Sequence, residues 1–80
     1  MRISAEISYY PLHEEFIPPI KDFIDRLLRH DELEVRPNTM STQVFGEFAD
    51  VMDAIREELE KSAALPHSVF VMKIVNADLR

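Results

Sequence analysis

Eighty residues, 46% of them apolar and only one a glycine, bound a single domain, 1–80, near the smallest size at which one hydrophobic core suffices. The absence of cysteine excludes a disulfide framework, a thiolate metal site and a cysteine nucleophile, and it fits a reducing, cytoplasmic location. Nine basic residues against fifteen acidic ones give a net charge of −6, which repels a phosphate backbone, so nucleic acid is not the expected partner.

The first residues, MRISAEIS, show no basic start leading into an apolar run, and no segment approaches the length of a membrane span, which predicts a soluble, unprocessed chain. Ile3, Ala5, Ile7 and Tyr9 alternate with Ser4, Glu6, Ser8 and Tyr10, the pattern of a strand with one face on a core. Pro11 ends it. From Phe16 the period changes: Phe16, Ile20, Phe23, Ile24, Leu27 and Leu28 trace one helical stripe. Pro18 and Pro19 belong in the first turn of that helix, about Phe16 to His30, with Glu14 and Glu15 placed at its positive end.

Two short strands follow, about Leu33 to Pro37 and Met40 to Gly46, joined by a turn at Asn38 and Thr39. Pro37 cannot donate to a ladder, which puts its strand at an edge. A second helix carries Phe48, Val51, Met52, Ile55 and Leu59 on its apolar stripe, with Glu47 and Asp50 in its first turn. Its carboxylates Asp53, Glu57, Glu58 and Glu60 read as a solvated face partnered by Arg56 and Lys61. The last element, HSVFVMKIV, is rich in β-branched residues and carries one charge, so it is a final strand.

The order strand, helix, strand, strand, helix, strand is the α+β, ferredoxin-like βαββαβ plan, a four-stranded antiparallel sheet with two helices on one face. On the other, open face lie Ser4, Glu6, Ser8 and Tyr10 from the first strand, and Ser41, Gln43 and Phe45 from the third. Lys73 should avoid the core, which places Val69, Val71 and Val75 beside it and turns Phe70, Met72 and Ile74 inward. Three valines with Phe45 and Tyr10 make an apolar patch of the kind that marks a partner surface, and a homodimer or homotetramer is the physical inference.

Glu6 and Lys73 fall on adjacent strands of this face. They form either an ion pair within an interface or a carboxylate for an amino-bearing heterocycle, with Lys73 tuning its charge. Ser41 and Gln43 add neutral donors and acceptors. Thr42 faces inward, where a hydroxyl bonded to a backbone carbonyl is the simpler expectation. His13, His30 and His67 share no metal-ligand spacing, no base accompanies the serines, and no glycine-rich loop exists, so neither a metal, a cofactor nor an enzymatic activity is implied.

The segments ISYYPLHEEFIPPIK, MSTQVFGEFADVMDAI and HSVFVMKIV, in this order, resemble the YkoF-like family of thiamine-binding proteins. The features that match are Tyr-Pro-Leu ending the first strand, Ser-Thr followed by a glycine four residues later, and a histidine opening the last strand. The resemblance implies a small cytoplasmic protein that binds thiamine or its hydroxymethylpyrimidine part without chemistry, and this chain is similar to the single-repeat members that assemble into oligomers. By position it places Tyr10, Ser41, Thr42 and His67 nearest a ligand. Glu6 departs from the pattern, since the two-repeat members are basic there. Glu6, Gln43 and Tyr10 nonetheless supply the carboxylate, amide and ring that a cationic aminopyrimidine ligand wants, and Ser8 shares their face as a further ligand-binding candidate.

Overall fold

A computed structural model describes Met1–Arg80. The elements are β1 (Arg2–Pro11), α1 (Ile17–Leu28), β2 (Glu34–Pro37), β3 (Thr42–Glu47), α2 (Phe48–Ser62) and β4 (Ser68–Val75). One antiparallel sheet has the order β2-β3-β1-β4, so the proline-bearing β2 and the valine-rich β4 are its two edges, as the sequence implies. No helix is long and apolar enough to cross a membrane.

The core forms where the two periodicities meet. Ile3, Ala5, Ile7 and Tyr9 of β1 pack with Phe23 and Leu27 of α1, Val44 of β3, and Val51 and Ile55 of α2. Tyr9 anchors it: its ring stacks on Phe70 at 4.3 Å and meets the Phe23 ring edge-on at 5.6 Å. Gly46 owes its place to packing rather than to an unusual φ, because a Cβ there would lie 3.0 Å from Leu33 Cδ2 and 3.4 Å from Val51 Cγ2. Pro18 and Pro19 sit in the first turn of α1, but Glu14 and Glu15 fall before the helix, whose first turn has no acidic residue.

The helices lie over β1, β2 and β3 and leave β4 at the margin. Met72 and Ile74, expected inside, are therefore 38% and 42% exposed, and only Phe70 reaches the core cluster. β4 thus presents apolar side chains on both faces. Phe45, expected in the open patch, is only 4% exposed, with the Arg36 guanidinium 5.1 Å from its ring centre. The reason is the C-terminal segment, which turns back over the open face after β4. The Ser4 hydroxyl donates to Ala77 O at 2.6 Å and accepts from Leu79 N–H at 2.8 Å. Ion pairs from Asp78 to Arg2 and from Arg80 to Asp78 and Glu34 continue the strap. The Arg80 hydrogen bonds hold the Asp78 carboxyl down at about 2.

Ser4 is thus the point that fixes the strap. Ser4→Ala removes one donor and one acceptor from a half-buried contact and should cost about 1–2 kcal/mol. Amide hydrogen exchange at Leu79 should rise well before exchange in β1 does; unchanged protection of Leu79 would show that the ion pairs hold the strap alone.

Candidate functional site

β1 outruns its neighbour. The last β1–β3 pair is Ile7 with Thr42, yet β1 continues to Pro11, paired there with β4 only. Opposite this overhang the β2–β3 turn closes through Asn38 N–H to Ser41 O at 2.8 Å. The gap between them, roofed by the start of α1, is a cavity of about 450 Å³ at the end of the sheet. Its walls are mostly apolar, from Ile7, Tyr9, Phe16, Ile20 and Phe23, and its polar groups come from Tyr10, Asn38, Thr39, Ser41 and Thr42.

Three of the expected site residues, Tyr10, Ser41 and Thr42, are therefore brought together here. Tyr10 is 52% exposed, which leaves its ring available at the mouth. Thr42 is buried, but its hydroxyl does not make the expected backbone bond: it takes part in none of the chain's side-chain hydrogen bonds and lines the cavity instead. The sequence alone did not single out Phe16, Asn38, Thr39 and Met40, because a helical stripe and a turn account for them. The available signal was Phe16, which opens the stripe yet stays half exposed.

Glu6 and Gln43 belong to a different place. They line a smaller recess of about 220 Å³ on the open face, with Lys73, Phe45, Val75 and Leu79 of the strap. Glu6 faces Lys73 across the β1–β4 ladder, and the ion pair measures 2.9 Å. Ser41 Oγ donates to the other carboxylate oxygen at 2.9 Å, linking recess and cavity. The Lys73 hydrogen bond, then that from Ser41, holds the Glu6 carboxyl below its ordinary 4.5. Glu6 is thus already partnered within one chain, by Lys73 on one carboxylate oxygen and Ser41 on the other. Ser8 makes a long bond of 3.4 Å to Met40 O. His67 lines neither pocket; its backbone carbonyl accepts from Leu12 N–H at 3.0 Å, and its side chain is exposed.

The second-helix carboxylates need a correction. Glu58 does not lie on a solvated face but is 3% exposed between the helices. Arg26 Nε donates to its Oε1 at 2.8 Å, and His30 Nε2 bonds its Oε2 at 2.7 Å, while Arg26 also reaches Ser62 Oγ. Burial pushes the Glu58 carboxyl up, but the hydrogen bonds from His30 and Arg26 outweigh it and leave it below 4.5. His30 Nδ1 lies 3.3 Å from Glu32, so both ring nitrogens face carboxylates, an arrangement that only the imidazolium satisfies by donating twice. Accordingly the His30 pKa is raised from 6.5, chiefly by Glu58. His30, Glu57 and Glu58 come close enough to share a cation, yet Arg26 and Lys61 already neutralise these carboxylates.

The fold matches several solved structures. A protein from Streptococcus pneumoniae superposes with a TM-score of 0.85 at 23% identity, covering 99% of this chain and 90% of that one. A hypothetical protein from Methanocaldococcus jannaschii gives 0.83 at 23% identity, with 99% and 84% covered. A proposed thiamine biosynthesis/salvage protein from Thermotoga maritima gives 0.83 at 19% identity, with 96% and 85% covered. At these identities the likeness shows a shared fold. No family model matches the sequence, and no curated protein aligns with it.

Proposed function

We propose that the protein binds thiamine or its hydroxymethylpyrimidine part in the sheet-end cavity and performs no chemistry on it. The observation that carries this is the convergence of Tyr10, Ser41 and Thr42, three of the four positions matched to the YkoF-like pattern, on one cavity of about 450 Å³. That volume lies in the usual range for small-molecule sites, as does the mix of apolar wall and a few polar groups. The name of the Thermotoga maritima structure points the same way. An aminopyrimidine has a polar edge for the Ser41 and Thr42 hydroxyls and a flat face for an aromatic ring, and Tyr10 and Phe16 supply rings at the mouth. Catalysis is not part of the proposal: the carboxylate hydrogen-bonded to Ser41 is Glu6, which already holds an ion pair with Lys73. The lack of cysteine suits a carrier or salvage partner in the cytoplasm.

Calorimetric titration with thiamine and with the free pyrimidine alcohol tests this. Saturable binding of either compound with one site per chain is the expected outcome. Heat of dilution alone for both would remove the ligand assignment and leave a purely structural oligomer.

Assembly is the second half of the proposal. β4 is an unpaired edge exposing Val69, Val71, Met72, Ile74 and Val75 with one charge among them, a surface that soluble monomers ordinarily break up. A homodimer or homotetramer covering β4 accounts for it. Sedimentation at micromolar concentration should show that assembly, and Val71→Glu should return the 9.3 kDa species by burying an unpaired charge. A Val71→Glu protein of unchanged mass would place the interface elsewhere.

A further inference from the structure

Resting on the ligand reading above, we infer that the cavity selects the unphosphorylated form of its heterocycle and rejects the phosphate ester. No lining residue carries a charge, neither lysine nor arginine, and the walls are mostly apolar. A phosphate monoester brings about −1.5 to −2 charges at neutral pH, and moving them to an apolar wall without a cation is costly.

The fold also withholds the usual substitutes for a cation. The start of α1 borders the cavity through Phe16 and Ile20, and a helix N-terminus commonly binds anions through its free N–H groups. Here Pro18 and Pro19 occupy the first turn and remove two of those four donors. The loop between the lining residues Leu12 and Phe16 carries Glu14 and Glu15, both exposed, so the mouth is acidic on that side. The basic side chains of the elements around it are engaged: Lys21 by Asp25, the His13 ring by the Pro66 carbonyl, Arg36 by Glu34 and the Phe45 ring, and Lys73 by Glu6. A neutral pyrimidine meets none of these penalties, and the acidic mouth that repels a phosphate attracts a thiazolium cation.

The test compares thiamine with thiamine monophosphate, and the pyrimidine alcohol with its phosphate, by calorimetry on the wild-type chain and on Met40→Lys. Met40 lines the cavity and is 87% exposed, so a lysine there adds a cation at the lip without disturbing the core. The wild type should bind each unphosphorylated compound at least about tenfold tighter than its ester. Met40→Lys should narrow that gap several-fold, mainly by improving the ester. Equal or tighter binding of the esters by the wild type would overturn the inference while leaving the ligand reading intact, and a gap unchanged in Met40→Lys would overturn its electrostatic basis. Absence of binding by all four compounds would remove both.

Discussion

Glu58→Ala should destabilise the protein by about 3–5 kcal/mol, the range for removing one partner of a buried ion pair. The cost arises because Arg26 and His30, both largely buried, would be left facing each other with no carboxylate between them. Glu57→Ala is the control. It sits one residue away, is exposed, and pairs with Lys61 at 3.4 Å, so its loss should cost under about 0.5 kcal/mol. Urea unfolding of the two variants decides the matter, and equal midpoints would show that the Arg26–Glu58–His30 cluster contributes nothing beyond surface pairing.

The same cluster sets a pH window. The His30 pKa is raised above 6.5, so its contribution is complete below 6.5 and is lost as pH rises through the folded-state value. The Glu58 pKa is lowered below 4.5, so its contribution is complete above 4.5 and is lost as pH falls through the folded-state value. Stability drawn from the cluster should therefore be greatest between 4.5 and 6.5 and decline on both sides. His30→Gln should flatten the alkaline decline, and a decline of full size in that variant would assign it to another group.

Tyr9→Ala and Tyr10→Ala should have opposite dominant effects although the residues are adjacent. Tyr9 stacks on Phe70, contacts Phe23 and bonds Ser68 Oγ at 3.2 Å through its hydroxyl, so truncation should cost about 3–5 kcal/mol of stability. Because Tyr9 also forms part of the cavity wall, ligand affinity should fall with it. Tyr10 is half exposed at the mouth, and its loss should leave stability within about 0.5 kcal/mol. Its effect should fall on binding of the proposed ligand, about 1–3 kcal/mol if its ring stacks on the heterocycle. Thermal melts and titrations on both variants measure this; a Tyr10→Ala protein that binds as the wild type does would mean that its ring makes no ligand contact.

Much of this architecture is legible in the chain. The switch from alternation at Ile3–Tyr9 to the stripe from Phe16 marks β1 and α1, Pro37 marks an edge, and Lys73 correctly predicts its pairing with Glu6. Alternation also sorts Tyr9 from Tyr10. What escaped depends on distances that a periodic pattern does not carry. The cavity exists because β3 begins at Thr42, two residues later than its apolar pattern implies, leaving β1 to overhang. The burial of Phe45 depends on a strap tied to Ser4 at the far end of the sequence. Glu58 leaves the solvated face of its neighbours because Val51, Ala54, Ile55, Glu58 and Ser62 form a helical face of their own, and the buried carboxylate on it meets Arg26 and His30 one turn apart on the facing segment.

Gathering Glu6, Ser8, Gln43 and His67 with Tyr10, Ser41 and Thr42 as one site is the expectation that the geometry divides most sharply. Tyr10, Ser41 and Thr42 meet at the sheet end, Glu6 and Gln43 share the strapped recess, and Ser8 and His67 line neither pocket. Amide chemical shifts followed during a thiamine titration distinguish these places directly. Binding in the sheet-end cavity should move the resonances of Tyr10, Leu12 and Met40 to Thr42 in a saturable way, while those of Lys73 and Leu79 stay near their free positions. Perturbations centred on Glu6, Gln43, Lys73 and Leu79, or no perturbation at all, would contradict the assignment of the cavity as the ligand site.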